Sequence, residues 1–175
     1  MEANIEILKD FQQESNQLIV QLLQILEECE DDFSQVKRLE DYGQTVDRIM
    51  GAAKSIAITV SDKDHYIHKV GDYTALCKAV GYKASQIKGN AQFYNVAVAL
   101  LLDATEMLSV MIENIMDSKK VDFKAQFSAT FLDRLRWVSA QFGAEYKGSV
   151  DIHKNKPQKL SQNDIDELLK KLGLD

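Results

Sequence analysis

A single proline, Pro157, and eight glycines are nearly all the strong backbone breakers that this 175-residue sequence contains. Sheet proteins need a turn every few residues and draw on Gly and Pro for them, so this scarcity argues against an all-β layout and for long helices. The two cysteines, Cys29 and Cys77, are too few for a disulfide framework, and each falls within a helical pattern. Reduced thiols in a cytosolic protein are the expectation. Positive charge is also short: 21 Lys and Arg against 27 Asp and Glu leave a formal net charge of −6. A phosphate-binding surface must be basic, so nucleic acid is not the expected partner, and an anionic membrane surface is disfavoured for the same reason. The longest apolar run, residues 96–102, is far below the roughly 20 residues a membrane helix requires. The first residues lack the basic stretch and apolar core of a signal peptide. A soluble, cytoplasmic protein is expected.

What the sequence does contain is helical periodicity. Apolar residues make up 45% of it, and the length suits one domain with a real core. Ile5, Leu8, Phe11, Leu18, Leu22, Ile25 and Leu26 fall on one face of a first helix, which the acidic residues 27–32 interrupt. Ser34 is the expected N-cap of a second helix, whose stripe is Val36, Leu39, Val46, Ile49, Met50, Ala53, Ile56 and Ala57. Gly43 lies in that stripe, where it costs about 1 kcal/mol relative to alanine unless a neighbour packs closely on it. After a polar stretch at 61–64, a third helix turns Ile67, Val70, Leu76, Val80, Ala84 and Ile87 inward. A break at 88–90 precedes a fourth, the most apolar, over about 91–116. A fifth runs from about 122 to 146 and carries Phe123, Phe127, Phe131, Leu135, Val138 and Phe142. The expected architecture is all-α. Residues 1–147 form an antiparallel helical bundle, residues 148–160 a flexible linker that holds Gly, Lys, Asn, Pro and Gln with little apolar content, and residues 161–175 a short amphipathic helix.

The last segment carries clear helix signals. Ser161 can cap the first turn, with Asp164 at the capping-box position. Asp164, Asp166 and Glu167 lie near the positive end of the helix dipole, Lys170 and Lys171 near the negative end. Ile165, Leu168, Leu169 and Leu172 share one face, and Gly173 can stop the helix. A helix this short is marginal alone in water. It must fold back on the bundle or dock in a partner's groove. The string from Leu160 to Leu169 resembles the CheY-binding segment of the flagellar switch protein FliM. With Leu172-Gly173-Leu174 added, it more closely resembles the carboxyl-terminal CheY-binding peptide of the CheZ chemotaxis phosphatases. The resemblance implies that Asp164 and Asp166 face basic groups on a response regulator, and that Ile165, Leu168, Leu169 and Leu172 fill its groove.

Beside the stripe of the second helix, Glu40, Gln44, Asp47 and Gly51 follow at i, i+4, i+7 and i+11 and form one polar ridge. A glutamine amide both donates and accepts hydrogen bonds, so it can orient water without acting as a strong base. A glutamine plays that part in GTPases. The stretch 40–50 resembles the CheZ catalytic segment, in which an acidic residue precedes a water-positioning glutamine by four. Glu40 matches the acidic position (usually Asp in that family), Gln44 the glutamine and Arg48 the basic residue that follows. Residues 11–87 also resemble the histidine phosphotransfer (Hpt) domains. There Asp47 replaces the phosphorylated histidine, which implies loss of phosphotransfer, and the face from Asp47 to Gly51 is the one turned toward a response regulator.

Together the two resemblances imply a protein phosphatase acting on the aspartyl phosphate of a CheY-type response regulator. Gln44 and Glu40 would be catalytic, Asp47, Arg48 and Gly51 partner-binding, and Mg²⁺ would reside on the regulator, with no cofactor of this chain's own. A histidine-less Hpt-like adaptor is the alternative, and a scaffold using only the tail a third. His65 and His68, three apart, have no further ligands at a diagnostic spacing, so no metal site is expected. Cys29 sits among Glu27, Glu28, Glu30 and Asp31, which oppose a thiolate. Trp137 and the phenylalanines of the fifth helix are assigned to the core or to a homodimer interface. No glycine-rich phosphate loop or nucleophile elbow is present.

Overall fold

The computed structural model describes residues 4–120, 122–146 and 162–174. Among them are six α-helices and no strand, so the fold is all-α. Helix α1 spans Ile5–Cys29, and the Asn4 side chain caps it by accepting the Glu6 N–H. It continues past the acidic boundary expected near Glu27. The Tyr94 hydroxyl donates to the Cys29 carbonyl at 2.7 Å and to that of Asp32 at 3.0 Å, which secures the last turn. Ser34 does not cap α2. It lies in a 3₁₀ turn, Phe33–Gln35, where the Asp32 carboxylate accepts both its N–H and its hydroxyl. α2, Arg38–Thr59, begins only after that turn. His65 Nδ1 caps α3 (Tyr66–Ala84), and Asn90 caps α4 (Ala91–Glu113).

Beyond Glu113 the chain tightens into a 3₁₀ stretch, Ile115–Lys120, so α4 stops short of Met116. α5, Ala129–Tyr146, starts later than the apolar pattern alone implies. A 3₁₀ turn at Lys124–Gln126 and the extended Phe127 intervene, and the Ser128 hydroxyl then accepts the Phe131 N–H.

The contacts of α1 to α4 close a ring: α1 on α2, α2 on α3, α3 on α4 and α4 on α1. Cross-pairs fix the directions. Glu28 with Arg38 and Glu14 with Arg48 make α1 and α2 antiparallel. Asp47 with Lys78, and Lys54 with Gly71, do the same for α2 and α3. Gln12 on the Ile112 carbonyl and Tyr94 on that of Cys29 do so for α1 and α4.

The closest approach is between α2 and α3. A Cβ at Gly43 would lie 2.9 Å from the Tyr82 ring, and one at Gly81 would lie 2.6 Å from the Tyr42 ring. The glycine in the α2 stripe is therefore matched by one on α3, and their rings interleave. Tyr42 and Tyr73, both fully buried, then reach α4, the first sharing a hydrogen bond with Thr105 at 3.0 Å and the second donating to the Ala104 carbonyl at 2.7 Å. These bonds satisfy hydroxyls that would otherwise be buried alone.

α4 is long and apolar enough by length and composition to cross a membrane. Phe93, Tyr94, Leu100, Leu101, Leu108 and Ile112 are buried inside the bundle, which accounts for that apolarity. Phe123, Phe127, Phe131 and Phe142 are core, as expected. Trp137 is not: it is 47% exposed, with its ring edge-on to Phe93 at 6.0 Å.

The sixth helix, α6 (Gln162–Leu172), packs on α3 and α5, the folded-back arrangement of the two open to it. Ile165, Leu169 and Leu172 are buried and Leu168 is half-buried. Gly173, at φ +70°, ends the helix, with the Leu174 N–H on the Leu169 carbonyl and the Gly173 N–H on that of Lys170. This pair of bonds is the Schellman arrangement, and it returns Leu174 to the core beside Leu169. The linker at 148–160 and the Ser161 cap lie outside the described residues.

Two expectations about stability follow. Gly81→Ala should lower the unfolding free energy in urea by about 1–3 kcal/mol, because the methyl group must displace a buried ring. Gly51→Ala meets nothing within 4 Å and should instead raise stability by up to about 1 kcal/mol through helix propensity alone. Burial also pushes the Cys77 thiol up to about 12 and raises the hydroxyls of Tyr42 and Tyr73. Such groups stay neutral in the folded chain but ionise on unfolding. Their contribution is intact below the unfolded value near 9 for the thiol and declines as pH rises toward 12. Each should contribute up to about 1.4 kcal/mol of lost stability per pH unit in that window, and Cys77→Ala should make the alkaline decline measured by urea titration shallower.

Candidate functional site

α2 turns Leu39, Tyr42, Gly43, Val46, Ile49 and Ala53 into the core. The residues one step round the helix are thereby brought to the surface. Gln44 is exposed, as the ridge requires, and directly follows the glycine on which Tyr82 rests. Gly51 is exposed, with open space around its Cα. At 1.5 Å per residue, the ridge from Glu40 to Gly51 is about 16 Å long.

The charged residues on and beside the ridge are each matched within the chain. Glu40 is half-exposed and lies 3.6 Å from the Lys37 ammonium. Arg48 lies 3.5 Å from Glu14, both well exposed. Asp47 accepts a 2.6 Å hydrogen bond from Lys78 of α3, with side chains 46% and 27% exposed. Lys78 also sits 6.0 Å from the centre of the Tyr82 ring. The neutral amide of Gln44 therefore projects between an acidic group at Glu40 and a compensated pair at Asp47. Flexible exposed pairs such as Glu40 with Lys37 hold little energy, so a partner can exchange them readily. The Asp47–Lys78 pair is less exposed and fixes both of its members. Next to the ridge, Arg48 helps line an open trough of about 400 Å³ with Asp10, Glu14 and the amides of Gln13, Gln17 and Gln21 of α1.

Lys78 and Tyr82 are absent from the sequence-based assignment. They come from another helix, 31 residues from Asp47 in the case of Lys78. The available signal is Gly81, a glycine inside α3, which announces close approach without naming its partner.

The two groups of expected site residues are not brought together. Glu40, Gln44, Asp47, Arg48 and Gly51 lie on α2, whereas Ile165, Leu168, Leu169 and Leu172 lie on α6, which contacts α3 and α5. Asp166 is exposed, and the side chain of Asp164 lies outside the described residues. The apolar face of α6 is occupied within the chain. His65 is the α3 cap, and His68 Nε2 lies 3.2 Å from the Asp62 carbonyl. Cys29 is buried, and burial more than its acidic neighbours raises its thiol.

No protein family, no characterised protein and no solved structure shows significant similarity to this chain. The local geometry yields its own expectation. Gln44→Ala should leave the urea midpoint nearly unchanged, within about 0.5 kcal/mol, because the side chain is exposed. Lys78→Ala should cost no more than about 1 kcal/mol for a partly exposed pair. Larger losses by either variant would mean that the ridge supports the fold and is not a free surface.

Proposed function

We propose that this chain docks on a phosphorylated CheY-type response regulator and promotes hydrolysis of its aspartyl phosphate. The reading is carried by one observation: an exposed glutamine amide on a helix held rigid by interlocked packing. The reaction demands little else from this side. A water oxygen attacks phosphorus, the bond from phosphorus to the aspartyl oxygen breaks, and the regulator's carboxylate is restored as inorganic phosphate leaves. The Gln44 carbonyl would accept a hydrogen bond from that water, and its NH₂ would donate to a phosphoryl oxygen, fixing the line of attack. Glu40 would exchange Lys37 for a basic group of the regulator and set the approach. Asp47, Arg48 and Gly51 would complete the docking face, with Gly51 leaving room for the partner's backbone. The Mg²⁺ that such regulators use belongs to the regulator, and the setting of the reaction is the cytoplasm.

The tail supports the same partner class through Ile165, Leu168, Leu169 and Leu172, with Asp164 and Asp166 as acidic complements to a basic rim. The stretch 148–160 would raise the local concentration of a captured regulator near α2.

A second reading has its own support. The antiparallel ring of α1 to α4, with Lys78 bonded to Asp47, suits an adaptor that binds without chemistry, the Hpt resemblance implying that Asp47 stands in place of the phosphorylated histidine. The two differ in a measurable rate. With the regulator phosphorylated by acetyl phosphate and then followed in isolation, the wild-type chain should accelerate decay. Gln44→Ala should lose about 10²-fold or more of that acceleration while retaining binding, in line with loss of one oriented polar group at a reacting centre. Decay that is unchanged by the wild-type chain, with binding intact, selects the adaptor.

A further inference from the structure

The amphipathic tail and the bundle make competing demands on one set of side chains. Ile165, Leu169 and Leu172 are buried on α3 and α5, and Leu174 is returned to the same core by the turn at Gly173. Two cations of the bundle reach the carbonyl end of this helix. Lys69 Nζ of α3 donates to the Lys171 carbonyl at 3.4 Å, and Arg136 Nη2 of α5 donates to the Leu174 carbonyl at 3.1 Å. Cations favour the negative end of a helix dipole, so these contacts act as a clasp on the tail. Both donors lie near the surface, where water can replace them, so the clasp is reversible.

We propose that α6 is a displaceable latch. Its apolar face is satisfied either by the α3–α5 groove or by the regulator, one at a time, with Lys69 and Arg136 holding the closed arrangement. This inference rests on the reading that the tail binds a regulator. A single helix face cannot fill two grooves at once. The affinity seen by the partner is therefore the intrinsic affinity reduced by the fraction of chains whose latch is open.

The latch leaves the ridge uncovered. Lys69 and Lys78 are nine residues apart, which is two and a half turns of α3 at 3.6 residues per turn. Lys69 thus lies on the side of α3 opposite the Lys78 that meets α2. Gln44 remains exposed with α6 closed. The latch therefore governs capture of the regulator and not the step at the phosphoryl group.

The test uses the full chain carrying Lys69→Ala with Arg136→Ala, which removes the clasp donors and leaves every residue of α6 and of the ridge in place. Hydrogen exchange of the α6 amides is measured without partner. Binding is then measured to a purified CheY-type receiver domain activated with beryllofluoride, and decay is followed over a range of phosphorylated receiver concentrations. The latch requires faster exchange in the variant, receiver binding tighter by about threefold to tenfold, and a lower half-saturating concentration at an unchanged maximal rate. Exchange that rises while affinity stays the same overturns the latch and leaves the phosphatase reading standing. Unchanged exchange overturns the clasp, and the latch with it. A receiver that binds neither wild type nor variant overturns both the latch and the reading on which it rests.

Discussion

The fold depends on how closely α2 and α3 approach. Two helices ordinarily keep their backbones apart by the thickness of the side chains between them. Here Gly43 and Gly81 remove that thickness at two neighbouring points, and the rings of Tyr82 and Tyr42 fill the space. Tyr42 is then placed to reach Thr105 on α4, so one interlock ties three helices together. The glycines weaken each helix taken alone, and the packing they permit offsets the loss. Because the rings are large and stiff, this contact has essentially one register, and everything carried on the outer surface of α2 inherits it.

The ridge shows what that register provides. Glu40, Gln44 and Asp47 face outward because Tyr42, Gly43 and Val46 must face inward. The same contact brings Lys78 to Asp47, so the carboxylate is already neutralised by its own fold. Under the proposed reading, the group that enters the partner's pocket is an amide, which costs less to desolvate than a charge once its hydrogen bonds are replaced there. Under the proposed reading, a rigid helix with an uncharged, bifunctional side chain suffices for a reaction in which the partner holds both the phosphoryl group and its cation.

The tail illustrates a different constraint. A helix with four apolar side chains on one face is not stable exposed in water, and it will cover that face with whatever is nearby. The α3–α5 surface is attached to it and always available. Charged residues on the other face of α6, including Asp166, Glu167, Lys170 and Lys171, are exposed with the helix seated on the bundle. Under the proposed latch, intramolecular burial and partner binding draw on the same side chains, and their balance depends on contacts at the helix end as much as on the apolar face.

Much of the architecture was legible in the order of residues. The scarcity of Pro and Gly and the 3.6-residue rhythm suffice for an all-α chain, and apolar stripes such as Leu39, Val46, Ile49 and Ala53 identify the buried side of each helix. The exposed position of Gln44 follows from the same stripe, since a helix that buries Gly43 and Val46 turns Gln44 outward. Helix ends were less legible: Ser34, Ala125 and the residues near Met116 obey local 3₁₀ turns that depend on caps such as Asp32 and on where the next helix must land. Periodicity states which face of a helix is apolar but not which helix covers it. Pairing is a long-range property, decided by complementary shapes and charges on segments distant in the chain. For that reason the meeting of Gly43 with Tyr82, the bond from Lys78 to Asp47, the exposure of Trp137 and the seating of α6 on α3 and α5 were settled only by the tertiary structure.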